Sequence, residues 1–207
     1  MLVKDACEGS TVQRDRGILA TATWHEYRRV NDFLKGTNLY LIGMMGAGKT
    51  TVGQRLAAEL DYRFFDTDAV IEQVTGLPIR ELFAQLGEAE FRKLESQVLA
   101  ELSPYMRLTI ATGGGIILKR ENWSHLRHGI VVWLDVPVEH LQVRLQADDT
   151  RPLLQGTDLT VKLQTLLEER QALYAQADVR ICYQAEETLE QLTMRTIEEI
   201  KQALKAV

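Results

Sequence analysis

Short apolar runs alternate with longer stretches of helical periodicity from residue 39 to the C-terminus. Leu39-Tyr40-Leu41-Ile42, Tyr62-Arg63-Phe64-Phe65, Leu108-Thr109-Ile110-Ala111, Ile130-Val131-Val132-Trp133-Leu134 and Val179-Arg180-Ile181-Cys182 each have the length of a strand. Between them, Val52, Leu56 and Leu60 recur at helical spacing, as do positions up to about Ser103. Five strands with few polar positions, joined by helical crossovers, predict a parallel sheet covered on both faces, an α/β fold in three layers. The last segment carries Leu189, Leu192, Ile197, Ile200 and Leu204, read as the packing face of a closing helix.

The pattern changes before residue 37. Met1 to Gly36 mixes six basic with five acidic residues and lacks the apolar core of a secretory signal. Trp24, Tyr27, Val30, Phe33 and Leu34 recur at helical spacing, which suggests a short amphipathic helix that packs on the domain or meets a partner. The domain expectation is an extension over 1–36, loosely ordered or a short helix, followed by one catalytic domain over 37–207. The extension is compatible with a cytoplasmic chain. A plastid transit peptide is the alternative, weakened by the five acids, because such peptides are poor in acidic residues.

Composition narrows the function classes. The 207 residues carry a formal net charge of −5, which argues against a dominant nucleic-acid or anionic-membrane role. Cys7 and Cys182 are far apart and make no CxxC, so a disulfide scaffold is excluded and a reducing compartment is favoured. The longest apolar run, around Gly129 to Leu134, is far short of the roughly 18 residues of a membrane span. His25, His125, His128 and His140 have no metal-ligand spacing; His125 and His128 are expected in a surface turn, and Trp123 and Trp133 in packing.

The chemistry begins where the first strand ends. Gly43-Met44-Met45-Gly46-Ala47-Gly48-Lys49-Thr50 matches G-x-x-x-x-G-K-[ST], with a strand before it and a helix after it. In such a loop successive backbone N–H groups turn toward phosphate oxygens at a helix N-terminus. Gly46, Ala47, Gly48, Lys49, Thr50 and Thr51 are therefore the candidate nucleotide-binding residues. Lys49 supplies charge for the β- and γ-phosphates, and the Thr50 hydroxyl a ligand for Mg²⁺.

Ligands of a parallel α/β sheet bind beyond the carboxyl ends of its strands, so the residues that follow the other strands are read next. Asp66-Thr67-Asp68 follows the second strand. If the segment is extended, its two carboxylates face the same side, offering one to organise a metal and one to take a hydroxyl proton. The alternative is a helix cap plus a solvated acid. Gly113-Gly114-Gly115 follows the third strand and allows close backbone approach to a ligand, or forms a tight turn alone.

Taken in order, the phosphate loop, Phe64-Phe65-Asp66-Thr67-Asp68, Gly87 to Glu95, the triple glycine, Arg151-Pro152-Leu153-Leu154 and Glu169-Arg170-Gln171-Ala172-Leu173-Tyr174 resemble the motifs of shikimate kinases. The resemblance runs from about Leu39 to the C-terminal helix. It implies a P-loop kinase fold similar to nucleoside monophosphate kinases, with a five-stranded parallel sheet and a lid near 145–157. It also implies transfer of the ATP γ-phosphate, with Mg²⁺, to the 3-hydroxyl of shikimate on the route to chorismate and the aromatic amino acids. Asp66 then reaches the metal through water, and Asp68 binds the acceptor hydroxyls and is the base candidate. Arg92 and Arg170 bind the substrate carboxylate, and Glu95, one turn from Arg92, orients it. Gly113, Gly114 and Gly115 line the acceptor site, Arg151 swings over the phosphates, and Arg144 stacks on adenine. From the residues alone, Arg92 and Arg170 could equally make surface salt bridges, and Arg144 could be a helix-surface charge. A second basic residue near the adenine is not evident around Gln184-Ala185-Glu186. A related kinase for gluconate or a nucleotide, or a nucleotide-gated binding module, are the rival readings. The expected partners are shikimate and ATP, with no nucleic acid and no membrane, and the chain is expected to act as a monomer.

Overall fold

The structure is a computed structural model that describes residues 32–146 and 159–205. The strands are β1 (Leu39–Ile42), β2 (Arg63–Asp66), β3 (Leu108–Ala111), β4 (Ile130–Asp135) and β5 (Val179–Cys182). They form one parallel sheet in the order β2-β3-β1-β4-β5. The helices are α1 (Lys49–Leu60), α2 (Thr67–Thr75), α3 (Ile79–Leu102), α4 (Arg120–Leu126), α5 (Val138–Leu145), α6 (Leu159–Tyr174) and α7 (Leu189–Lys205).

Each expected strand is present, β2 displaced one residue toward the C-terminus. The apolar runs read as buried because β1 and β3 are buried at every position and β4 at all but its last. A strand covered on both faces has no solvent side on which to place polar residues. Asn38 locks the start of the sheet: its amide donates to the Tyr105 carbonyl at 2.7 Å and its side-chain oxygen accepts from Leu108 N at 2.9 Å. Because both neighbours of β1 are parallel to it and lie on opposite sides, the ends of β1, β3 and β4 open a crevice at the point where the chain reverses its direction of progress across the sheet.

Several local expectations change. Leu189 and Leu204 of α7 are exposed, at 39% and 43%, and the buried face instead includes Thr193 and Thr196. Their hydroxyls donate to Leu189 O and Leu192 O at 2.7 Å, so two polar side chains enter the interface with their hydrogen bonds satisfied within the helix. His125 lies in α4, not in a turn, and its Nδ1 is 3.0 Å from Ser103 Oγ. Trp123 and Trp133 are buried, as packing requires. At the N-terminal edge Leu34 is 2% exposed, within the core, and Gly36 O accepts from Arg107 N at 2.9 Å. Of the expected amphipathic helix, Trp24, Tyr27 and Val30 lie outside the described residues.

Candidate active site

The loop between β1 and α1 forms because its last glycine, Gly48, caps α1 with φ of 93°, a left-handed conformation costly for residues with a Cβ. The Lys49 ammonium donates to Gly43 O at 2.9 Å and Met44 O at 2.8 Å, which holds it back across the loop. The Ala47 N–H is turned to Met44 O at 3.2 Å.

Asp66 is the last residue of β2 and the N-cap of α2. Its Oδ1 accepts from Asp68 N at 3.0 Å and Ala69 N at 3.4 Å, while Oδ2 accepts from the Thr50 hydroxyl at 2.7 Å. The expectation that Asp66 and Asp68 share an extended segment is corrected: Asp68 lies in the first turn of α2. Capping falls to Asp66, which does both jobs at once, one oxygen for the helix and the other for Thr50. Asp66 and Asp68 nevertheless line one cavity of about 970 Å³ together with Gly46, Gly48, Lys49, Thr50, Thr51, Gly114 and Arg144.

At the end of β3, Gly113 and Gly115 of the triple glycine follow for a steric reason. A Cβ on Gly113 would collide with Glu95 Oε1 and Asp68 Oδ1, and one on Gly115 would collide with the Arg92 guanidinium. The backbone therefore passes between the charged groups at distances only glycine permits. Gly113 N donates to the buried Thr67 hydroxyl at 2.9 Å, fixing β3's end to the start of α2. Arg92 and Glu95 project from α3, where Gly87, with φ of 77°, breaks the helical path before the motif.

Neither Arg92 nor Arg170 is a surface charge. Arg92 is 9% exposed, paired to Glu95 at 2.5 Å and to Glu88 at 3.0 Å, and its guanidinium carbon lies 5.8 Å and 5.5 Å from the ring centroids of Phe83 and Phe91. Arg170, from α6, is 4% exposed, and its Nη1 donates to Gly114 O at 3.3 Å. Glu95 is also buried, and burial drives its carboxyl up to about 7; Arg92 and, less strongly, Arg170 pull it down, while the Asp68 carboxylate pushes it further up. Two guanidinium groups, two carboxyls and a glycine backbone thus converge beyond the end of β3, meeting the nucleotide loop at Gly114, a set suited to a small anion with hydroxyl groups.

Arg144 packs on the phosphate loop, its Nη1 donating to Gly46 O at 3.0 Å, with its guanidinium carbon 5.9 Å from the Tyr183 ring centroid. Sequence reasoning missed Glu187, which lines the same cavity and takes Nε and Nη2 of Arg195, each at 2.7 Å. Arg195 also donates to Cys182 O at 3.0 Å, so a basic side chain does reach the end of β5, from α7. The seven residues between Glu187 and Arg195 hid that pairing. Arg151, with the rest of the expected lid beyond Gln146 up to residue 158, lies outside the described residues.

A phosphate loop that meets a buried polar cluster at Gly114, at the chain-reversal point of a five-stranded parallel sheet, defines a P-loop kinase fold for a small molecule. The sequence model of the shikimate kinase family matches residues 45–201, and the chain belongs to that family. It is 59% identical over 176 residues to a shikimate kinase of Nostoc sp., covering 85% of this chain and 97% of that protein. A shikimate kinase of Synechococcus elongatus is 51% identical over 172 residues, covering 83% and 90%. Among solved structures, shikimate kinase from Acinetobacter baumannii in complex with shikimate superposes with a TM-score of 0.79 at 40% identity, covering 84% of this chain and 97% of that one.

Proposed function

We propose that the chain transfers the γ-phosphoryl group of ATP to the 3-hydroxyl of shikimate, giving 3-phosphoshikimate and ADP, a step of chorismate and aromatic amino-acid biosynthesis. The observation that carries this reading is the buried cluster of Glu95, Arg92 and Arg170 around the triple glycine, with the half-buried Asp68 linking it to the cavity of the phosphate loop. Arg92 and Arg170 bind the substrate carboxylate with charge-assisted hydrogen bonds. The backbone of Gly113, Gly114 and Gly115 supports the ring, and Asp68 accepts from the acceptor hydroxyls and takes the proton as the new O–P bond forms. Gly46, Ala47, Gly48, Lys49, Thr50 and Thr51 hold the phosphates, and Lys49 offsets the charge spread over the transferred group. Arg144 contacts the adenine, and Arg151 closes over the phosphates as a cationic lid residue.

Thr50 Oγ1 and Asp66 Oδ2, 2.7 Å apart at the cavity wall, fit Mg²⁺. They are hard oxygen donors, few in number, as expected for an ion that keeps most of its waters and is held in part by nucleotide phosphates. Thr50 would ligate it directly and Asp66 through water; when bound, the ion would neutralise phosphate charge. We place the enzyme in the cytoplasm and assign it as a monomer; no described helix is long and apolar enough to cross a membrane.

The test is a coupled assay of ADP release with shikimate, gluconate and nucleoside monophosphates as separate acceptors. Release with shikimate alone supports the assignment. Release with gluconate or a nucleotide in preference, or ATP binding with no turnover on any acceptor, overturns it.

A further inference from the structure

Tyr174 ends α6 one helical turn beyond Arg170 and has no exposed surface. Its ring stacks on Trp133 of β4, with centroids 5.7 Å apart and planes inclined by 18°. That packing aims the hydroxyl at the junction of two loops. The hydroxyl donates to Gly114 O at 2.9 Å, and its oxygen lies 3.8 Å from Met44 Sδ of the phosphate loop. The same Gly114 carbonyl accepts from Arg170 Nη1 at the longer distance of 3.3 Å. One backbone oxygen is therefore shared between a neutral donor and a cation assigned to the substrate.

We propose that Tyr174 is a positioning residue for the acceptor: by holding the Gly114 carbonyl it fixes the middle of the triple-glycine loop and leaves the Arg170 guanidinium available to the substrate carboxylate. The inference rests on the assignment of Arg170 and this loop to the shikimate site. Gly114 is the point where the two loops meet, since a Cβ there would stand 3.6 Å from both Gly43 O and Met45 N. A shift of Gly114 thus moves the acceptor backbone relative to the phosphate loop, and small displacements of reacting groups are costly in rate and binding. Without the tyrosine hydroxyl the carbonyl's remaining partner among the described residues is Arg170, and a guanidinium drawn toward a backbone oxygen is turned from a carboxylate. The donor is constant through the working range of pH, because burial pushes the phenol up to about 12.

Tyr174→Phe deletes one oxygen and keeps the ring against Trp133. Steady-state kinetics should show KM for shikimate raised about 3- to 15-fold, the loss expected for a hydrogen bond that positions a charged contact. KM for ATP should change less than about twofold, and kcat less than about threefold, which separates positioning of the acceptor from general loosening. Titration calorimetry of shikimate without ATP provides a second readout and should show the same fold-change for Tyr174→Phe. An unchanged shikimate KM and Kd in Tyr174→Phe, or equal rises in KM for ATP and shikimate, overturns the role. Wild-type protein that neither binds nor phosphorylates shikimate would instead overturn the functional assignment beneath it.

Discussion

Arg92 Nη1 donates to Glu95 Oε2 at 2.5 Å across one turn of α3, with Glu95 only 1% exposed. This pair explains how the guanidinium is kept oriented in a nearly dry wall. Glu88 takes the Nη2 side of the same group at 3.0 Å. The second Glu95 oxygen, Oε1, is buried without a hydrogen-bond partner among the described residues and faces Gly113. A carboxyl held so close to Asp68 and so far from water resists ionisation despite its arginine.

That resistance predicts a pH dependence. The ordinary glutamate value is 4.5, and in the fold Glu95 is pushed up to about 7. Between those values the folded chain keeps a proton that the unfolded chain has released. The stabilising contribution is thus complete below about 4.5, declines as pH rises, and is lost above about 7. Glu95→Gln should flatten this part of the stability profile, measured by denaturant unfolding at a series of pH values. A slope identical in wild type and variant would contradict the assignment to Glu95.

Shikimate brings a further negative charge next to the same carboxyl and should favour its protonated form. Its Kd should therefore rise as pH goes from roughly 6 to 8, with proton uptake on binding, and Glu95→Gln should remove most of that rise. Calorimetry in two buffers of different ionisation enthalpy measures the proton count directly.

Lys49→Ala should lower kcat by about 10²–10³, the usual scale for losing one preorganised charge at a reacting centre, while the melting temperature changes little. Lys49 holds two loop carbonyls but contributes nothing to the apolar core. Wild-type turnover from the folded variant would remove the phosphate-loop assignment.

Asp68→Asn and Arg170→Ala should fail differently. The first keeps shape but cannot take a proton, so kcat should fall about 10²- to 10⁴-fold. The second deletes a charge-assisted contact worth about 1.5–3 kcal/mol, so kcat/KM for shikimate should fall about 10- to 150-fold. ATP affinity should hold in both. A loss of ATP binding in Arg170→Ala, with shikimate binding intact, would move Arg170 to the nucleotide side.

Removing residues 1–31 should leave shikimate phosphorylation and melting temperature close to those of the full chain. Removing residues 1–36 also takes Leu34 out of the core and the Gly36–Arg107 bond out of the sheet edge. Stability should then fall by about 2–4 kcal/mol, the scale of one lost buried leucine and a hydrogen bond. Thermal melts of the two truncations against the full chain decide this.

The strands were legible because burial on both faces forces unbroken apolar runs, which is a local property. The phosphate loop was legible for the same kind of reason: its glycines, lysine and threonine act within eight consecutive residues, so their spacing carries the geometry. The α7 stripe was misread at Leu189 and Leu204 because threonine can enter a helix interface once its hydroxyl finds the carbonyl four residues back, and a hydrophobic pattern does not register that bond.

By itself the amino-acid sequence determined the α/β class, the nucleotide loop and, through motifs in order, the kinase family. Only the tertiary structure decided that Asp66 caps α2 while holding Thr50, that Arg92 and Arg170 are buried, and that Glu95 sits beside Asp68. It also decided that Tyr174, to which the sequence alone assigned no chemistry, reaches Gly114 from 60 residues away. The physical reason is range: periodicity and loop spacing report interactions between near neighbours in the chain. Desolvation and shared hydrogen bonds depend on which distant segments the sheet order brings to the same crevice.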